Sequence, residues 1–160
     1  MDDLPKTFDR AGLAAAGFAE PVPFALPLPA PDKPGVYVIL CDSDAATEFL
    51  PHSPAGHHKG KDPTVDEVTL RDAWVDGAEV LNIGKAGSLH KRLTTYRQFG
   101  AGRNSGHYGG RYIWQLEDHD TLQVAWRLTG DEVPRTVEAR LIQEFKRQCG
   151  GRRPFANITD

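Results

Sequence analysis

The sequence predicts an α+β domain, because β-prone runs and helical patterns alternate along a chain that carries enough apolar residues for one core. Residues 36–41, 80–83 and 122–128 read as strands, and four stretches, beginning near Thr7, Thr64, Leu89 and Pro134, carry helix signals. At 160 residues and 39% hydrophobic, the chain can bury one core and is too short for two comfortable domains. The organisation expected is an N-terminal extension over residues 1–34 and one domain over residues 35–160.

Thr7 is placed to cap a short helix running through Ala16, with Gly17 as its stop and Phe8 and Leu13 as a modest apolar face. Residues 21–34 contain six prolines. They favour an extended connector strapped along the core and forbid both a helix interior and a central strand. Gly35 then releases the apolar run 36–41, a well-buried strand in which Tyr37 is the only strongly polar-tipped member. Taken alone, Tyr37 reads as a buried tyrosine hydrogen-bonded through its hydroxyl.

Between residues 42 and 77 the composition turns polar and resembles a surface insertion that folding could spare. His52, His57 and His58 lie here without cysteine or regular ligand spacing, so solvated loop histidines are expected in preference to a zinc site. Thr64 and Glu67 form a capping-box pair for a helix to about Trp74, with Val68 and Trp74 as its packing residues. Asp76 and Gly77 turn the chain into the strand at Val80.

Residues 79–99 read as strand, glycine turn and capped helix. Gly84 and Gly87 free the backbone, Lys85 lies in the turn, and Ser88 caps a helix whose apolar residues are Leu89, Leu93 and Tyr96. Arg92 and Tyr96 fall one turn apart on it. From Gly84 to Leu116 the chain holds Lys85, Lys91, Arg92, Arg97, Arg103 and Arg111 with no acidic residue, a stretch suited to a polyanion. The glycine-rich connector 100–110 matches neither the phosphate loop nor the dinucleotide fingerprint, so no nucleotide cofactor is expected. Residues 111–116 fit a helix or a strand, with helix favoured. Leu122, Val124, Trp126 and Leu128 alternate as in a half-buried strand.

Pro134 opens the last helix, whose apolar face is Val137, Leu141, Ile142, Phe145 and Cys149. Glu138 falls near the centre of that stripe. A carboxylate so placed is costly unless an arginine pairs with it or a cation binds it, and both readings stand. In the tail, Phe155 and Ile158 are expected to tack the chain onto the core.

The net charge of -3 hides an asymmetry: residues 1–83 carry 6 basic and 14 acidic side chains, and residues 84–160 carry 13 and 8. The second half suits nucleic acid. Cys41 and Cys149 are too few for a disulfide framework and read as buried free thiols. With no membrane-length apolar run and no basic-then-apolar opening, a soluble cytoplasmic protein is expected.

In this order the segments resemble the GIY-YIG nuclease superfamily over roughly residues 35–158. Gly35-Val36-Tyr37 is similar to the first signature, and Asn82-Ile83-Gly84 stands in the place of the second. Gly84-Lys85-Ala86, with Arg92 and Tyr96 downstream, is similar to the nuclease domain of the bacterial excision-repair incision subunit. Glu138 and the Pro-Phe-Ala-Asn ending at Asn157 complete the pattern.

The resemblance implies a small antiparallel three-stranded sheet flanked by helices, and an endonuclease cutting DNA phosphodiester bonds with one divalent cation, Mg²⁺ or Mn²⁺. It assigns Glu138 to the metal and catalytic roles to Tyr37, Lys85, Arg92, Tyr96 and Glu138. Asn82, Lys91, Arg97, Arg103, Arg111 and Asn157 are the expected substrate contacts. The chain departs from the pattern in the long 42–77 segment and in Asn82, where the family has a tyrosine. An inactive nucleic-acid-binding module and a protein-interaction domain are the alternatives.

Overall fold

The computed structural model describes residues 4–42 and 48–159. Its centre is an antiparallel sheet of β1 (Val22–Pro23), β2 (Gly35–Leu40), β3 (Val80–Ala86) and β4 (Gln123–Leu128), in the order β1-β4-β2-β3. Around it lie α1 (Arg10–Ala15), α2 (Glu67–Ala73), α3 (Leu89–Gly100) and α4 (Pro134–Gln148), with 3-10 segments at His58–Gly60, Tyr108–Gln115 and His119–Thr121. The sheet has four strands where three were expected. The extra one comes from the proline-rich connector, where Val22 pairs with Val124 and Pro23 with Gln123. A proline has no N–H to give a second neighbour, which is why this strand forms at the sheet margin.

Strand β2 is paired on both sides and every one of its residues is buried. The pleat sends Tyr37 and Ile39 into a core shared with α3 and the Tyr108–Gln115 segment, while Val36, Val38 and Leu40 meet α1 and α4. Strand β4 was expected to be half-buried, yet Val124 is buried on one face and Ala125 on the other. The reason is its interior place in the sheet, with layers on both sides. Phe24, Leu28 and Ala30 of the connector are buried against the first core, as a strapped segment requires.

Four local readings change. The N-cap of α1 is Asp9, which accepts from Gly12 N at 2.8 Å, while Thr7 hydrogen-bonds to the Asp9 carboxylate. The cap of α2 is Asp66, since Thr64 accepts from Ser53 N and is thereby used elsewhere. Within α2 the buried residue is Leu70, and Val68 is 71% exposed. Lys85 lies inside β3, because pairing with β2 continues through Val36↔Lys85 and Gly35↔Ala86 before the chain bends.

The polar stretch after β2 is built into the core; its residues 43–47 lie outside the described residues. Phe49 bridges Leu116, and Leu50 N donates to the Gln115 carbonyl at 2.7 Å. The buried Gln115 amide accepts from Val65 N and donates to the carbonyls of Leu50 and Val65. Trp74 stands edge-on to Phe155 at 5.1 Å, and Leu70 is fully buried. A dispensable excursion would not carry the partners of a buried side chain. At the far end, Phe155 is buried and Ile158 packs on the same core, so the tail is held as expected.

Candidate active site

Tyr37 is the floor of the site. The register sets it opposite Gly84, and a Cβ at Gly84 would stand 2.2 Å from Cζ of the Tyr37 ring. Only glycine allows the phenol to lie across β3, so Gly84 serves close approach and not a turn. Tyr37, Asn82, Lys85, Arg92, His107, Arg111, Arg135, Glu138 and Asn157 are among the residues lining one cleft of about 490 Å³. Strands β2 and β3 supply its floor, α3 and α4 its cationic and acidic walls, and the glycine-rich connector and the tail its rim.

Charge in the cleft is uneven. Glu138 is half-buried on α4, and burial raises its carboxyl pKa, with Lys85, Arg135 and Arg92 pulling the other way. Arg135 sits one helical turn before Glu138 and lines the same wall. Burial pushes the Tyr37 phenol up to about 12, opposed by the charge and hydrogen bond of Arg92 and reinforced by Glu138. Tyr37 is therefore a neutral phenol in neutral solution, despite the adjacent guanidinium.

Asn157 closes the rim as a surrogate peptide group. Its Oδ1 accepts from Ile83 N at 2.9 Å, and its Nδ2 donates to the Ile83 carbonyl at 2.9 Å. Asn82 donates to the same Oδ1 at 3.1 Å and is only 6% exposed. Both amides line the cleft, and these bonds give them a structural task beside any contact with substrate. Arg111 is stacked over Tyr108 at 4.2 Å and donates to the Tyr108 carbonyl, which holds its guanidinium at the rim.

The remaining sequence assignments scatter. Tyr96 does not line the cleft: it is fully buried, and its hydroxyl donates to the Gly110 carbonyl at 3.0 Å. The inner face of α3 carries it into the core while Arg92 stays exposed. Lys91 lines an adjoining groove of about 710 Å³ with Lys85, Arg92 and Arg135. Arg97 stacks on Trp114 at 5.3 Å, and neither it nor Arg103 lines the cleft or this groove.

In comparison with known proteins, no family model, no curated protein and no solved structure matches the chain. The site therefore rests on its own chemistry.

Two lining residues escaped the sequence reading. Arg135 had a signal, since it stands three residues before Glu138 on a helix whose faces were already assigned. His107 had none, being a lone histidine in a glycine-rich connector. It is 4% exposed, its ring is stacked on Tyr96 at 3.5 Å, and its Nε2 lies 3.4 Å from the Tyr37 hydroxyl. Burial, then the charge of Arg92, holds its pKa well below the ordinary 6.5. A cleft with guanidinium and ammonium groups around one carboxylate and one phenol can hold a phosphodiester and place water beside it.

Among the described residues there is no group of three or more His, Cys, Asp or Glu able to hold a metal ion, and no helix is long and apolar enough to cross a membrane.

Proposed function

We propose that this chain is a metal-dependent DNA endonuclease of the GIY-YIG kind. The observation that carries the reading is the convergence of Tyr37, Lys85, Arg92 and Glu138 on one cleft from four different elements. A cleft evolved only to hold phosphate gains nothing from a half-buried carboxylate, which repels the ligand. The same carboxylate suits a cation. The donor set fits Mg²⁺, which is commonly held by one or two carboxylates together with water and substrate phosphate, so Glu138 alone suffices on the protein side. When bound, the ion supplies Lewis acidity and charge neutralisation at the phosphate.

The chain's own residues supply the rest. Arg92 reaches the cleft beside Tyr37 and would donate to non-bridging phosphate oxygens, where negative charge grows as phosphorus becomes pentavalent. Lys85, exposed at the end of β3, adds a mobile positive charge at the same phosphate. Tyr37, a neutral phenol, holds the attacking water through its oxygen. Hydrolysis then places the water's hydroxyl on phosphorus and its remaining proton on the departing oxygen. Arg111, Arg135 and the Lys91 groove receive flanking phosphates.

One observation favours a binding module without chemistry. Asn82 donates to Asn157, and an amide has no basicity to replace the phenol that the resemblance leads one to expect there. Nicking of supercoiled plasmid DNA with Mg²⁺ or Mn²⁺ separates the two readings. The endonuclease reading requires cleavage that disappears with chelator and in Glu138→Gln, with DNA affinity unchanged or slightly higher in that variant. DNA binding without nicking by the parent protein selects the binding module, and cleavage by Glu138→Gln at the parent rate rules out its metal role.

A further inference from the structure

Tyr37 has few ways to orient its hydroxyl. Four charged or titratable groups act on the end of its ring: Arg92 and Tyr96 from α3, His107 from the connector and Glu138 from α4, which acts through its charge and makes no hydrogen bond to the hydroxyl among the described residues. Arg92 is a donor only and cannot take the Tyr37 proton. The Tyr96 hydroxyl is engaged with the Gly110 carbonyl, and its ring centroid stands 6.3 Å from that of Tyr37. His107 Nε2, at 3.4 Å, is the acceptor that remains.

The imidazole is held for this task from behind. Its ring lies nearly parallel to that of Tyr96, 7° apart in plane. Gly110 permits the arrangement, because a Cβ there would stand 2.5 Å from the Tyr96 hydroxyl oxygen and force that ring away. His107 Nδ1 is buried and has no hydrogen-bond partner among the described residues. A buried imidazole with one nitrogen unsatisfied calls for an explanation, and a task in the adjoining cleft supplies one.

We propose that His107 is a positioning residue of the cleft: its Nε2 accepts the hydroxyl proton of Tyr37 and so turns the phenolic lone pairs towards the attacking water. This rests on the endonuclease reading for its consequence and on the Tyr37–His107–Tyr96 arrangement for its geometry. With the proton directed at His107, the Tyr37 oxygen accepts from Arg92 and from water together. Without His107 the hydroxyl proton is free to point into the cleft, where it competes with the water it should hold.

The test is a double-mutant cycle read on kcat, with a spectroscopic arm that needs no cleavage. His107→Leu removes the acceptor and is expected to lower kcat by about 10–100-fold with KM little changed, and His107→Gln, which keeps an acceptor oxygen, recovers part of the loss. In a Tyr37→Phe background, His107→Leu has no further effect, since no hydroxyl remains to orient. Equal losses in both backgrounds would reduce His107 to packing and overturn the assignment. In nitrogen-15 spectra of the parent protein, His107 is expected as the tautomer protonated at Nδ1, with an Nε2 resonance that moves in Tyr37→Phe. A proton on Nε2, or a resonance indifferent to that substitution, overturns the proposal even if the leucine variant fails to fold. Absence of nicking by a parent protein that shows the expected tautomer would instead count against the endonuclease reading alone.

Discussion

Burial holds the Glu138 carboxyl above its ordinary 4.5, so the folded protein prefers this group protonated more than the unfolded chain does. Above the raised value both states are ionised, and the folded one bears the penalty. Glu138→Gln is therefore expected to raise Tm slightly at neutral pH, a gain that fades as pH falls towards 4.5 and both states protonate. Calorimetry of the two proteins at several pH values checks it. If Glu138→Gln both raises Tm and abolishes nicking, the carboxylate is kept for chemistry. His107 shifts in the opposite sense: below 6.5 the unfolded chain takes up a proton that the folded one refuses. Its contribution to stability is complete above 6.5 and is lost as pH falls from there towards its lowered folded value. Urea unfolding should show stability declining across that window in the parent and less steeply in His107→Gln. The His107 effect was not legible in the sequence, because nothing about a lone histidine among glycines reports which ring it will meet. Glu138 was legible, since its place on an apolar helical stripe follows from spacing alone.

Among the elements, the polar stretch after β2 departs furthest from expectation. Its composition resembled a loop because its packing residues are few and widely spaced, with Phe49, Leu70 and Trp74 separated by prolines, glycines and histidines. What binds it is a side chain outside the stretch. Gln115 serves the backbone of Leu50 and Val65 with three hydrogen bonds in a buried setting. Gln115→Leu would strand those peptide groups, and a loss of about 3 kcal/mol in unfolding free energy is expected. Denaturant titration measures it, and a loss below about 0.5 kcal/mol would return the stretch to the status of a surface excursion. Deleting residues 48–74 should unfold the protein for the same reason. The strands and α3 and α4 were readable because period and capping residues agreed. The fourth strand was hidden by proline content, which excludes a central strand and says nothing against two residues at a margin.

At the scale of the molecule, the acid-free stretch that marked the chain for a polyanion divides on folding. Lys85, Arg92 and Arg111 reach the cleft and Lys91 the groove beside it, while Arg97 is stacked on Trp114. If about four cations meet duplex phosphates, log affinity should fall against log salt with a slope near about -3.6. Lys91→Ala should flatten that slope by about one unit, and Arg97→Ala should leave it unchanged. Fluorescence anisotropy over a salt series would show this, and an equal effect of both substitutions would mean that DNA covers the Trp114 side as well. Charge order in the sequence pointed to a polyanion but not to the direction each side chain takes. The tail that completes the cleft also has an effect away from it. A sheet with bare margins invites a second copy to add its own strand, and the two margins here offer little purchase. One is two residues long and contains Pro23. Along the other, Ala156 N donates to the Leu81 carbonyl at 2.7 Å and Asn157 occupies both backbone groups of Ile83. The segment that frames the cleft thus also protects the protein against self-association through β3.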